Sequence, residues 1–373
     1  MAVSNGLDRR SFLLGMSCTV AATALIPACS HHKQTQWLIS TVRHDNGDFL
    51  AVAISQSGEL LKQIPLPAQG CASLAIPHKP GHALIFTAAP HSVALEVNFI
   101  DGTVVKTIES GTHSQLCGHG VFSSNGRYLY TTQSHRDSGE GFVVVRDTTH
   151  YIPVNQFNSG GIAPEAILPI PNSSLVVLAN TGLQKTDYAS DNIHAADKFV
   201  SNLTYLDIES GEIKAQIEPP HAGQVIRHLD VNSKGKVFIG MQHPQHQGKE
   251  KEVLPLVYSH HKEKALTPCT ATSQQLQNMQ SSTDCVKVQN NLLAVSCSKG
   301  KCITFLNADT LNVIDQQTFQ GAAGLTLLNN NLIASSDEGK LRFYHNRVNL
   351  QHAKEQTLAS LHFDNHMTAI HSV

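Results

Sequence analysis

Three histidines and one glutamate stand at matching positions of an internal repeat in this 373-residue chain. His119 and His228 each precede a turn glycine, Gly126 or Gly235, by the same seven residues. Glu165 and His366 take the equivalent place in weaker copies. Imidazole and carboxylate groups are ligands that transition metals such as Fe, Cu and Zn accept. If the four side chains converge, the sequence predicts a metal site made of His119, His228, His366 and Glu165.

Converging polar side chains have two other uses. They can bind a ligand that is not a metal, or they can hydrogen-bond to water and simply seal a channel. Arg227, beside His228, supplies a fixed cation to an anionic ligand at the same place or pairs with an acid of a neighbouring repeat. Glu165 is the natural acid. The predicted ligand-binding set is therefore His119, Glu165, Arg227, His228 and His366.

The elements that must position these residues are short hairpins. Residues 118–130 and 226–239 each combine an alternating apolar run, a tight turn with glycine, and a second alternating run, which is typical of a β-hairpin. Further copies start roughly 40 to 65 residues apart, and each holds about four strands. This spacing predicts an all-β fold, a β-propeller whose innermost strands line a central channel.

The pattern predicts seven blades. The blades are expected at 71–108, 119–157, 165–217, 227–266, 285–319 and 325–358, with an incomplete N-terminal blade of three strands at 37–64. Residues 362–370 resemble an innermost strand and would complete that blade, so the two ends of the chain share one sheet and leave no open edge. Residues 30–373 are accordingly expected to form a single propeller domain.

The first 29 residues have the pattern of a targeting segment. Arg9 and Arg10 precede Phe12 and a charge-free run of small and apolar residues, which is the pattern of a twin-arginine export signal. Cys29 follows an alanine after that run and is a lipidation candidate, although cleavage at an alanine-type site would give a soluble product instead. Both alternatives place the protein in the periplasm. Its only contact with the membrane would be through the signal or the lipid anchor.

Composition narrows the partners. There are 27 basic and 29 acidic residues, a net charge of −2, so no positive field exists to attract nucleic acid. We expect a monomer. Six of the eight cysteines lie beyond residue 29, an even count that permits three disulfides in an oxidising compartment. Cys297 and Cys302 flank a four-residue hairpin loop and are the one pair that the spacing favours.

Several stretches resemble a known family, the exported propeller proteins of domain of unknown function 1513. They are the twin arginines with Phe12 and Leu13, residues 118–123 and 126–132, 139–141, 160–165, 175–182 and 226–229. The resemblance implies a propeller of unassigned activity that accompanies imelysin-like periplasmic proteins of iron uptake, which would be its partners. Members of the family often carry a histidine where Cys71 stands. Compared with the family, this chain therefore lacks a fourth histidine at the mouth, and the departure implies a pairing of Cys71 with Cys117 on the neighbouring blade.

Together these features predict a periplasmic propeller that binds a ligand, a metal or a protein partner at its channel mouth in a metal-uptake pathway. The cofactor would be a transition metal, Fe, Cu or Zn. An enzyme is the first alternative, a lactonase-like metal hydrolase that uses the same ring with Glu165 as ligand or base. A protein-interaction scaffold is the second.

Overall fold

The computed structural model describes residues 35–89, 91–183, 200–243, 253–262, 264–344, 350–351 and 354–372. The export signal with Arg9 and Arg10, and the lipidation candidate Cys29, lie outside the described residues and remain predictions. Within the described part of the chain, no helix is long and apolar enough to span a membrane.

Seven antiparallel sheets of four strands each form the blades, which confirms the predicted seven-bladed β-propeller. Blades two to four contain the strands β4 (Gly70–Ala75), β5 (His82–Thr87), β6 (Ala94–Asn98), β7 (Thr103–Ile108), β8 (Ser114–Phe122), β9 (Tyr128–His135), β10 (Glu140–Asp147), β11 (Pro153–Ile162), β12 (Pro164–Pro169), β13 (Leu175–Asn180), β14 (Asn202–Asp207) and β15 (Ile213–Ile217). Blades five to seven contain β16 (Val225–Val231), β17 (Val237–Gln242), β18 (Val257–His260), β19 (Thr267–Pro268), β20 (Cys285–Gln289), β21 (Leu292–Cys297), β22 (Cys302–Asn307), β23 (Val313–Thr318), β24 (Ala322–Leu328), β25 (Asn331–Ser336), β26 (Lys340–Tyr344) and β27 (Lys354–Thr357).

Blade one is built from both ends of the chain, as predicted. Its strands are β28 (Leu361–His371), β1 (Gln36–His44), β2 (Phe49–Ile54) and β3 (Leu60–Pro65), in that order across the sheet. The innermost strand β28 pairs with β1 from Gln36 opposite His371 to His44 opposite Leu361. This pairing closes the ring, because an unpaired β1 would expose a free sheet edge.

The core is divided into seams between neighbouring blades. One seam packs Leu84 and Phe86 of blade two against Leu116 and Leu129 of blade three, and all four side chains are fully buried. Burying an aliphatic or aromatic side chain of this size stabilises the fold by about 1.5–3 kcal/mol. Each blade is therefore held mainly by the blades on either side of it.

The one helix among the described residues is α1 (Ser273–Asn278), between blades five and six. Thr272 caps it, since its hydroxyl accepts from the Gln275 amide while the Gln275 side chain accepts from the Thr272 amide.

The innermost strands share an irregularity near one end. In six of the seven blades the pairing of the innermost strand with its neighbour shifts register; only β20 pairs without a shift. In β8, for example, Leu116 pairs with Gln133 and Gly120 with Thr131, so three residues of β8 stand opposite one residue of β9. Such β-bulges turn side chains out of the regular alternation.

Candidate functional site at the channel mouth

A cavity of about 950 Å³ opens where these bulges meet. Its lining comes from the innermost strands of five blades and the loops beside them: Gln69, Gly70, Cys71, Ala88, Ala89, Gln115, Cys117, His119, Ser134, His135, Arg136, Gly139, Ala163, Pro164, Glu165, Thr181, Leu183, Arg227, Asp364, Asn365 and His366. The volume falls in the range of small-molecule binding sites. The bulges thus aim side chains from different blades into one space.

His119 and His366 meet edge to face at this cavity. Their Nε2 atoms are 3.1 Å apart, and their ring centroids are 4.7 Å apart with an interplanar angle of 75°. One ε nitrogen therefore donates a hydrogen bond to the other. Burial, together with the nearby His119 and in spite of Glu165, lowers the pKa of His366 to about 3, so its ring is neutral near pH 7.

The glycine before His119 fixes this arrangement. Gly118 has φ +95°, which favours glycine, and a Cβ at this position would lie 2.9 Å from both Cβ and Sγ of Cys71. The backbones of blades two and three can approach this closely because position 118 lacks a side chain. His119 then follows directly and is directed toward the closing strand β28.

His228 lies beside His366 and is not among the residues that line the cavity. Its ring centroid is 5.7 Å from that of His366, and only 5% of its surface is exposed. Burial, followed by the nearby His366 and Arg227, lowers the pKa of His228 well below its usual value. His228 therefore supports His366 as a neutral ring and is out of contact with the cavity.

Glu165 and Arg227 form an ion pair across blades four and five. The two guanidinium contacts measure 2.7 Å from Nε to Oε2 and 2.8 Å from Nη2 to Oε1, and Arg227 also donates to Gln242. About one fifth of each side chain is exposed. Of the two roles predicted for Arg227, the structure shows the pairing with a neighbouring blade's acid. A bidentate pair of this kind holds both groups in place.

Asp364 is the carboxylate that the sequence did not single out. It lies two residues before His366 in the bulge of β28 and lines the cavity, where Gln69 donates to its Oδ1 over 3.3 Å. Burial raises the pKa of Asp364 to about 6, although Thr41, Gln69 and Arg43 oppose the shift. Nothing in the sequence marked this position except its neighbour His366.

The six cysteines among the described residues are thiols in this structure. Cys71 and Cys117 both line the cavity, on the innermost strands of blades two and three. Cys297 and Cys302 stand directly opposite each other in the β21–β22 pair, where the hairpin was expected to bring them. Both disulfides remain predictions. Cys285, the first residue of β20, is buried with Sγ 3.8 Å from the Leu325 carbonyl oxygen.

Among the described residues, no three His, Cys, Asp or Glu side chains are arranged to hold a metal ion together. The predicted ligands do come together: His119 touches His366, His366 lies against His228, and Glu165 is near enough to influence the pKa of His366. Of these contacts, the one between His119 and His366 brings two ring nitrogens within hydrogen-bond distance.

The repeat alignment was wrong in one respect. It started the innermost strand of blade three at residue 119, but β8 begins at Ser114, five residues before His119. The reason is the bulge, which lets each strand continue past the site residue while turning that residue toward the cavity.

Comparisons with known proteins agree with the fold. A family model described as "Protein of unknown function (DUF1513)" matches residues 64–370, as the sequence resemblance suggested. Hydrazine synthase of Kuenenia stuttgartiensis is similar in structure with a TM-score of 0.59 at 12% identity, and the match covers 83% of this chain and 90% of that chain. At this identity the likeness concerns the fold alone. No curated protein matches the sequence.

Proposed function

Because this chain belongs to the DUF1513 family, whose members are proteins of unknown function, we propose its function from the site itself: the propeller binds a transition-metal ion at its channel mouth through His119 and His366. The observation that carries the proposal is the 3.1 Å separation of the two Nε2 atoms beside a large open cavity.

The distance between the two Nε2 atoms fits two ligands of one metal ion as well as it fits a hydrogen bond. With metal–nitrogen bonds of about 2.0–2.1 Å, two imidazoles stand about 3.4 Å apart at a tetrahedral angle and about 2.9 Å apart at a right angle. The observed distance lies between these values. A metal would replace the shared proton, each ring then carrying its hydrogen on Nδ1, and imidazole donors suit Fe, Cu and Zn.

Two protein donors leave several coordination positions open toward the cavity. Glu165 is held by Arg227 and supplies negative charge near the site without reaching the metal position in this arrangement. Open positions are typical of sites at which metals exchange ligands or act on substrates, whereas structural metal sites are closed. The site is therefore suited to transient binding.

The experiment is equilibrium dialysis of the purified protein against Cu(II), Zn(II) and Fe(II), with metal content measured by elemental analysis. We expect about one equivalent of bound metal, and at least tenfold weaker binding in His119→Ala and in His366→Ala, since changing even the residues that merely orient metal ligands costs about 10- to 100-fold in affinity. His150→Ala is the matched control: His150 is 68% exposed in the β10–β11 turn, on the face opposite the mouth. Equal binding by all four proteins would refute the proposal.

We propose the periplasm as the place of this activity and metal uptake as its pathway. Support comes from the twin-arginine pattern at Arg9 and Arg10 and from the family resemblance. The open site would then pass its metal to a periplasmic partner, for which an imelysin-like protein is the first to test. If the metal-loaded protein and His119→Ala retain such a partner equally, the protein acts toward that partner as a scaffold and not as a metal donor.

A metal-dependent hydrolase is the second candidate. It is favoured by the position of Asp364, whose carboxylate lies on the same cavity wall as His366 and could take part in activating water on a bound metal. Turnover of lactone or ester substrates by metal-loaded protein, lost in Asp364→Asn while the metal stays bound, would establish it. If the metal-loaded protein turns over none of these substrates, the hydrolase candidate is refuted and metal binding remains the proposed function.

A further inference from the structure

The cavity is much larger than the ion that we propose for it. A metal ion with six waters needs about 200 Å³, since water takes about 30 Å³ per molecule in the liquid. The cavity offers about 950 Å³ and continues from the His119–His366 pair to the walls of blades two and three. The remaining space has the size of an organic molecule.

The walls away from the histidines show which chemistry this molecule would have. Gln69, Gln115 and Ser134 provide hydrogen-bonding groups, and Ala88, Ala89 and Leu183 provide apolar surface. Small oxygen-rich molecules with a short carbon skeleton meet both kinds of wall. An extended hydrocarbon would leave the polar groups without partners, at a cost for each.

The charged groups of the cavity wall indicate the sign of the charge that this molecule would carry. The cavity wall carries two guanidinium and two carboxylate groups, and Arg227 is already paired with Glu165. The Asp364 carboxylate accepts a hydrogen bond from Gln69 and has Arg43 nearby. The exposed Arg136 at the rim makes no ion pair with any described residue and is free to receive an anion.

We infer that the metal is bound as a complex with a small carboxylate chelator, His119 and His366 occupying the positions that the chelator leaves open and Arg136 meeting its carboxylates. This inference rests on the proposed metal binding and names the substrate class of the same site. It explains why the protein provides only two donors: the ligand brings the others.

The test is dialysis of radiolabelled citrate against the protein with and without Zn(II). We expect citrate to be retained one to one with zinc and at least tenfold more tightly than without it; by reciprocity, citrate should tighten zinc binding by the same factor. The fully occupied zinc–EDTA complex has no position for a histidine and should not be retained. Arg136→Gln should weaken retention of the zinc citrate complex more than that of zinc alone, whereas His150→Ala should change neither.

The outcomes separate the two proposals. If the protein binds zinc but does not retain citrate with it, the chelate inference is wrong and the metal site stands. Neither zinc nor citrate bound overturns both. Citrate retained equally in the absence of zinc, or by the His119→Ala/His366→Ala double variant, would show an anion site that is independent of metal and would also overturn the inference.

Discussion

Gly118→Ala should damage both the fold and the site, because Gly118 permits the bulge that presents His119. The new Cβ would lie 2.9 Å from Cβ and Sγ of Cys71, closer than side-chain carbons approach. The positive φ of +95° adds strain of about 1–2 kcal/mol, partly offset by about 0.4–1 kcal/mol from the stiffer unfolded chain. Overpacking adds about 1–3 kcal/mol. We therefore expect a loss of about 1–4.5 kcal/mol of unfolding free energy.

The chain offers a matched control at Gly47, in the β1–β2 turn. It has the same φ of +95°, but a Cβ there would meet no atom within 4 Å. Gly47→Ala thus carries the backbone strain without the steric clash and should cost about 1 kcal/mol. Cys71→Gly removes both clashing atoms, so in that background Gly118→Ala should fall to the cost of Gly47→Ala.

Urea denaturation gives the free energies, and metal dialysis gives the state of the site. We expect Gly118→Ala to weaken metal binding about tenfold, since the strand must shift and His119 shifts with it, while Gly47→Ala leaves binding unchanged. Equal destabilisation by the two substitutions would refute the packing argument. A destabilised Gly118→Ala that binds metal normally would show that the bulge does not position His119.

Two further predictions concern the buried Glu96, on which Tyr151, Lys79 and His82 converge. Tyr151→Phe removes a 2.8 Å hydrogen bond to this carboxylate and should lower the unfolding free energy by about 1.5–3 kcal/mol at pH 7, measured in urea; a change under 0.5 kcal/mol would mean that the contact is dispensable. Burial raises the pKa of Glu96, but the bonds from Lys79 and Tyr151 outweigh it and hold the pKa below its usual value. The stabilisation from the charged Glu96 is therefore complete above about pH 4.3 and is lost as the pH falls below that value. The unfolding free energy should consequently fall less steeply with acid in Glu96→Gln than in the wild type; parallel pH curves would contradict this.

The architecture could be predicted because its signals are local. Turn glycines such as Gly126 and Gly235, with alternating strands around them, mark each hairpin within a dozen residues. The closing strand was recognisable because residues 362–370 were left over beside a three-strand blade. Both features depend only on chain geometry near the residues concerned, and the structure confirms both.

The details of the site could not be predicted because the bulges break the spacing on which the alignment depends. His119 and His228 stand at the same distance from their turn glycines, yet His119 lies within a bulge and reaches the cavity. His228 pairs with Gly240 directly after the one-residue bulge of β16, and it is buried. Asp364 was missed for a related reason: the bulge in β28 turns three consecutive residues toward the mouth, and no periodicity marks them.

The position of His366 couples the site to the closure of the ring. His119 belongs to blade three, whereas His366, 247 residues later, belongs to the strand that completes blade one. When β28 detaches, His366 leaves the site and the edge of β1 is exposed, so a ligand that needs both histidines binds only the closed ring. Such a ligand at a hundred times its Kd would stabilise the closed ring by about 2.7 kcal/mol. The pairing of β28 with β1, the least local contact of the fold, therefore gains stability from occupation of the site.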